Sequence, residues 1–200
     1  FAASVAHAER LAEIFNRHRS GCANWICGTT PKDARREVLG NFQSGKLQIV
    51  CNVGVLTEGF DNPAVEVVVM ARPTKSRSLY AQMAGRATRP LPGVVDRWDL
   101  AEDRRMAIAE SEKPNCCIID FVGNSGKHKL VTTADILGGE YDDAVVERAA
   151  KKAAEAGKAI DMVEALKESL AEIHAENERA KAMEAARRDK LTVKASYSTH

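Results

Sequence analysis

The 200-residue chain has no apolar run near the ~18 residues that a bilayer crossing needs, which excludes a helical membrane protein. No charged stretch leading into an apolar one opens it, so nothing reads as a secretory signal. It also lacks an initiator Met. Phe1 stands in what reads as the tail of a strand, as though the chain were a piece of something longer. The five cysteines (Cys22, Cys27, Cys51, Cys116 and Cys117) are odd in number and share no repeated CxxC spacing. That pattern fits neither a disulfide framework nor a zinc site. Cys51, Cys116 and Cys117 lie in apolar runs, where a thiol packs as a small hydrophobe, and the expectation is a reduced, cytoplasmic protein. His7, His18, His128, His174 and His200 are scattered without a pair at ligand spacing, so no metal site is expected.

A strong charge of one sign is missing too, since 29 Lys and Arg face 28 Asp and Glu. The balance conceals an asymmetry. Residues 1–90 hold 12 basic against 7 acidic side chains, and residues 91–200 hold 17 against 21. A basic first part suits a polyanionic partner, but so modest a charge fits a stand-alone nucleic-acid binder poorly. At this length the chain can bury a core without staples, and one domain plus an extension is expected.

Hydrophobic spacing supplies the elements. Ser4 is placed to cap a helix over about 5–19, with Val5, Ala8, Leu11, Ala12 and Phe15 on one face. Trp25–Cys27 reads as a strand. Thr30 and Pro31 open a second helix, with Thr30 as cap, Asp33 favouring the dipole and Val38, Leu39 and Phe42 as its inner stripe. Leu47–Val53 and Val65–Ala71 read as strands, the latter apolar enough to be covered on both faces. A helix is expected from Ser76 to about Ala87, ended by Pro90 and Pro92. Residues 90–113 read as irregular and charged, and Cys116–Phe121 returns to strand. The alternation predicts an α/β fold, a parallel sheet flanked by helices.

From about Tyr141 the composition shifts to Ala, Glu, Lys and Arg, with Gly157 the expected helix break. Val163, Leu166, Leu170 and Ile173 are spaced 3-4-3, too briefly for a coiled coil, so a solvated helix or helical hairpin is expected. Ala195–His200 read as a disordered end. The domain reading is residues 1–138 followed by a charged helical extension, 139–200.

Three segments of the first part share a chemistry. Leu56–Pro63 follows a strand, at the carboxyl end where open α/β sheets place ligands; Gly59 permits positive φ, and the Asp61 carboxylate can accept from a ribose hydroxyl. A plain turn on Gly59, Asp61, Asn62 and Pro63 explains the segment equally. In Gln82–Pro90, a continuous helix would put Gln82, Arg86 and Arg89 on one face. Guanidiniums grouped in this way are solvated, paired with carboxylates, or waiting for phosphate, to which their forked donors are suited. Ser4 before the first helix, and Gly28 and Thr29 before the second, offer helix N-termini with hydroxyls nearby, usable for phosphate or for capping.

Taken in this order, the segments resemble the second RecA-like domain of superfamily-two helicases and translocases. Phe1–His7 is similar to the end of motif IV, residues 56–63 to motif V, and Gln82, Gly85, Arg86 and Arg89 to the Gln-x-x-Gly-Arg-x-x-Arg form of motif VI. That Gln form and the run Ala71–Ser76 look more like the bacterial and phage DEAD/DEAH-type helicases related to restriction and repair translocases than like DEAD-box proteins proper. Ile118–Asn124 is similar to the strand that often closes the domain in that branch.

The resemblance implies a RecA-like domain of the P-loop NTPase fold over about 1–138, truncated at its N-terminal edge. It implies Arg86 and Arg89 as arginine fingers on the γ-phosphate of ATP, with Gln82, Gly59 and Asp61 toward the nucleotide and Asp61 near the ribose. Ser4, Gly28, Thr29 and Thr57 would contact the nucleic-acid backbone; DNA is favoured over RNA as the partner, with the choice left open by the residues. Val53 stands where many members carry a Thr that touches the strand, so those contacts rest on the remaining positions.

A nucleotide hydrolase also needs a phosphate loop and a metal-binding carboxylate. Residues 123–128 imitate the loop, but Phe121 holds the first Gly position and His128 the hydroxyl position, so the match fails. No acidic helicase box occurs. ATP binding loop and Mg2+ ligands are therefore expected in a preceding RecA-like domain, and the isolated fragment is expected to be inactive. The alternative is a non-catalytic helicase-like module that binds a protein partner through its helical tail. Trp25 and Trp98 could stack on bases, and packing explains them equally.

Overall fold

The computed structural model describes residues 1–57, 59–121, 133–139 and 141–196, with side chains to Arg188. The chain divides into two compact units, Phe1–Ile136 and Leu137–His200. Among the described residues no helix is long and apolar enough to cross a membrane.

In the first unit α1 (Val5–His18), β1 (Ala23–Ile26), α2 (Lys32–Gln43), β2 (Ile49–Asn52), β3 (Val67–Met70), α3 (Arg77–Ala84), α4 (Ala101–Ala109) and β4 (Cys117–Asp120) follow in order. Strands β1 and β2 pair in parallel, Trp25 opposite Cys51, and β3 and β4 pair in parallel, Val68 opposite Ile118. Phe1 and Ala2 lie between the pairs. The Ala2 N–H donates to the Asn52 carbonyl at 2.9 Å, the Phe1 amine to the Val69 carbonyl at 2.8 Å, and the Ala71 N–H to the Phe1 carbonyl at 3.0 Å. Ala2 runs parallel to Ala71, so this short stub belongs to the sheet as expected. The fold is α/β, with parallel strands flanked by helices and followed by a helical C-terminal region.

Two apolar clusters hold the unit. Ala8 and Ala12 of α1 meet Ala2, Cys22, Ala23 and Cys51, with Leu11, Phe15 and Trp25 packed around them. Val68 and Met70 meet Tyr80, Met83, Ala84 and Ala87. The small residues of α1 let the helix lie close to the sheet, and Trp25 packs there. All five cysteines are free thiols, three of them buried.

Several expectations need correction. The Val65–Ala71 run is covered on one face: Val68 and Met70 are buried, but Val67 is 50% exposed, since α3 packs on the other side. Thr30 does not cap α2. Its hydroxyl accepts the Cys27 N–H at 2.9 Å instead, and Pro31 takes the cap position without a side-chain bond. Helix α3 stops at Ala84, where the Arg86 and Ala87 N–H groups reach back only three residues, to Met83 and Ala84, and tighten the chain into a turn. Gln82, Arg86 and Arg89 therefore do not share a helix face. Residues 90–113 contain α4, which buries no residue and so has no apolar stripe to announce it; Glu102 and Asp103 in its first turn favour the dipole. The imitation phosphate loop, 123–128, lies outside the described residues.

Helix α5 (Thr133–Leu137) is followed in the second unit by α6 (Asp143–Ala156) and α7 (Met162–Ser196). Gly157, with φ 62°, is the left-handed C-cap that ends α6 as expected. Val145, Val146 and Ala149 of α6 are buried, as are Ala165, Leu166 and Ser169 of α7. Arg148 donates to both Glu176 carboxylate oxygens at 2.8 Å, and Lys152 pairs with Glu172 at 2.8 Å. The tail is thus a helical hairpin. Val163, first of the 3-4-3 series, is 48% exposed while Leu166 is buried. Ala195 and Ser196, expected in a disordered end, continue α7.

Candidate functional site

The candidate residues follow the carboxyl ends of strands. Ser4 follows the stub, Gly28 and Thr29 follow β1, and Thr57, Gly59 and Asp61 follow β2. Gln82, Arg86 and Arg89 stand on α3 and the turn after it, which follow β3. In parallel sheets this edge is where ligands are met, because the loops there are free of strand pairing.

The loop after β2 and the turn after α3 are joined by arginine. The Arg86 guanidinium is forked: Nη1 donates to the Phe60 carbonyl and Nη2 to the Thr57 carbonyl. Its Nε is buried with no partner among the described residues. Arg89 is ion-paired with Asp61, both side chains substantially open to water. Two guanidiniums separated by three positions thus engage one loop, Arg86 through its backbone carbonyls and Arg89 through the Asp61 carboxylate. The loop has further anchors. Gln43 of α2 donates to the Asp61 carbonyl at 3.3 Å, and Phe42 and Phe60 rings lie 6.2 Å apart. Gly59 has φ 70°, the left-handed backbone that a side chain resists, and it is exposed. Gln82 is exposed on α3.

Lys113 is a member of this assembly that sequence reasoning missed. It is 5% exposed, and its ammonium donates to the Pro63 and Arg89 carbonyls, both at 2.7 Å. Burial pushes its pKa below the ordinary lysine value, partly offset by Cys116 and Glu66 nearby. A lysine in a charged stretch carries no local sign of such burial.

Around the helix N-termini, hydroxyls are already engaged. Ser4 Oγ accepts from the His7 N–H at 3.2 Å and caps α1. After β1, Arg35 Nη2 gathers the Cys27 and Gly28 carbonyls at 2.9 and 3.2 Å, which orders the backbone of Gly28 and Thr29. Both residues are exposed. The Cys27 thiol lies 3.1 Å from the Thr29 hydroxyl. Hydrogen bonds from Thr29 and then Thr30 hydroxyls, with the Thr29 backbone, bring its pKa from 9.0 to about 7.

The structure therefore brings Thr57, Gly59, Asp61, Arg86 and Arg89 together. It gives Ser4, Gly28 and Thr29 places on the neighbouring loops of the strand ends. Among the described residues no group of three or more His, Cys, Asp and Glu could hold a metal ion.

Residues 1–90 match the family model of the helicase conserved C-terminal domain. The chain is 30% identical over 152 residues to a Saccharomyces cerevisiae protein named as an ATP-dependent helicase, covering 74% of this chain and 19% of that protein. It is 43% identical over 72 residues to the endonuclease subunit of the type I restriction enzyme EcoKI of Escherichia coli, covering 34% of this chain and 6% of the subunit. A solved fragment named as the HsdR subunit of a type I restriction enzyme from Vibrio vulnificus matches with a TM-score of 0.45 at 24% identity, over 62% of this chain and 23% of that one. The chain spans 20% or less of these curated relatives and of two viral proteins it also matches.

Proposed function

We propose, for a chain whose residues 1–90 match the family model of the helicase conserved C-terminal domain, that it forms the C-terminal motor half of an ATP-dependent helicase or translocase. The site acts in a cleft against a preceding RecA-like domain of the same protein. The observation that carries the reading is the convergence of Arg86 and Arg89 on the loop of Thr57–Asp61.

The donor set fits a nucleotide polyphosphate. ATP, the substrate, supplies the phosphoryl group whose transfer to water drives movement. Arg89 is the finger: its ion pair with Asp61 is exposed, so exchanging Asp61 for phosphate oxygens costs little, and its charge then offsets the charge that develops during transfer. Asp61, released, accepts from a ribose hydroxyl. Arg86 is the second guanidinium of the pair; in holding the Thr57 and Phe60 carbonyls it keeps the loop in shape until it turns to the phosphate. Gln82 orients the segment, and Gly59 leaves the backbone open to close approach. With no acidic helicase box in the sequence, the preceding RecA-like domain would supply the Mg2+ ligands.

Ser4, Gly28, Thr29 and Thr57 grip the backbone of a nucleic acid. Backbone N–H groups and hydroxyls at strand ends suit phosphates and carry no base information. Opening and closing of the cleft moves that grip along the strand.

The test is ATP hydrolysis by the longer protein with and without DNA or RNA. Turnover that nucleic acid stimulates is the expected result. A folded protein that neither hydrolyses ATP nor binds it would overturn the motor reading and favour a protein-binding module built on the helical tail.

A further inference from the structure

We infer that Lys113 is a positioning residue for the proposed ATP site: its buried ammonium straps the loop after β2 to the turn after α3, and so sets where Asp61 and Arg89 stand. The inference rests on the motor reading above.

The geometry is specific. One acceptor is the carbonyl of Pro63, two residues beyond Asp61; the other is the carbonyl of Arg89 itself, each at 2.7 Å from Nζ. The strap therefore closes on the same two segments that the Arg89–Asp61 ion pair joins at their tips. Its own place is set from a third element. The Lys113 N–H donates to Ser111 Oγ at 3.2 Å, and Ser111 Oγ donates to the Ile108 carbonyl of α4 at 2.7 Å. Helix α4, which buries nothing of its own, thus delivers one buried cation to the site.

Stability alone does not call for a lysine there. Taking an ammonium out of water is costly, and two neutral carbonyls repay it only in part. Methionine would fill similar volume without that cost. A lysine gives what methionine cannot: donors that fix two backbone segments at a set separation. Misplacing a catalytic group by about 1 Å can cost ~100-fold in rate, so a strap of this kind acts on the chemical step more than on nucleotide binding.

The test uses the full-length protein, with Lys113→Met and Lys113→Arg compared at a temperature where circular dichroism shows all variants folded. Nucleic-acid-stimulated ATPase gives kcat and KM, and hydrogen exchange reports the amides of residues 59–65 and 86–91. In Lys113→Met, kcat is expected to fall about 10- to 100-fold with KM for ATP changed by less than about threefold, and exchange to rise in both segments. Lys113→Arg, which keeps the donors, is expected to recover much of kcat. Wild-type turnover with an unaltered Lys113→Met kcat, or with exchange unaltered in both segments, overturns the positioning role alone. Absence of turnover in the wild type overturns the motor reading, and the inference with it, whatever the exchange shows.

Discussion

Arg89 and Asp61 form an ion pair between the turn after α3 and the loop after β2, with side chains 43% and 65% exposed. Such a pair is screened and contributes less than ~1 kcal/mol. It is a resting contact, held until a better anion arrives.

Asp61→Asn is therefore expected to lower the melting temperature by less than about 4 °C while raising KM for ATP in the full-length protein. Thermal melting and steady-state kinetics check both. A large melting loss with KM unchanged would make the pair a structural one.

Arg86 behaves differently, because its fork serves two carbonyls on one loop. Arg86→Ala strands both acceptors and is expected to reduce unfolding free energy by ~1–3 kcal/mol. A lysine has no planar fork, so Arg86→Lys should recover less than half of that loss in a denaturant titration. Full recovery by lysine would show that charge, and not bidentate geometry, is what the loop needs.

Cys27 gives a pH signature. Its thiol ionises at about 7 in the folded chain against an ordinary 9.0, so between those values the unfolded chain binds more protons. Stability from this group consequently rises as pH climbs from about 7 to 9, and is lost as pH falls through 7. Thiolate absorbance of the wild type, with Cys27→Ser subtracted, should titrate near pH 7, and Thr29→Val should move it upward. A midpoint near 9 in both proteins would mean the Thr29 hydroxyl does not reach the sulfur in solution.

Gly157 tests the hairpin. Its φ of 62° is strained for any side chain, although space for a Cβ is open. Gly157→Ala is expected to cost ~1 kcal/mol and to speed amide exchange over the last turn of α6. Exchange rates equal to the wild type would exclude the left-handed cap.

Much of the frame was legible in local pattern. The apolar runs Leu47–Val53, Val65–Ala71 and Cys116–Phe121 each contain a strand, Ser4 caps α1, and Gly157 ends α6. Most of what escaped depends on partners distant in sequence, with Thr30 a local exception. Helix α3 ends at Ala84, as the segment carrying Arg86 turns toward Thr57 and Phe60, which helical spacing cannot foresee. Thr30 has the chemistry of a cap, but the Cys27 N–H claims its hydroxyl. Helix α4 lacks an apolar stripe, and Lys113 reads as one more surface charge until the chain buries it. Of the site, the residue types were visible one by one. That Asp61 meets Arg89 is a fact of the fold.

The most direct test of the motor account is the Arg89→Ala variant of the full-length protein, assayed for ATP binding and for nucleic-acid-stimulated turnover. The account predicts that ATP is still bound while turnover falls by ~10³-fold or more, as loss of an arginine finger does elsewhere. Near-normal turnover in that variant would contradict it.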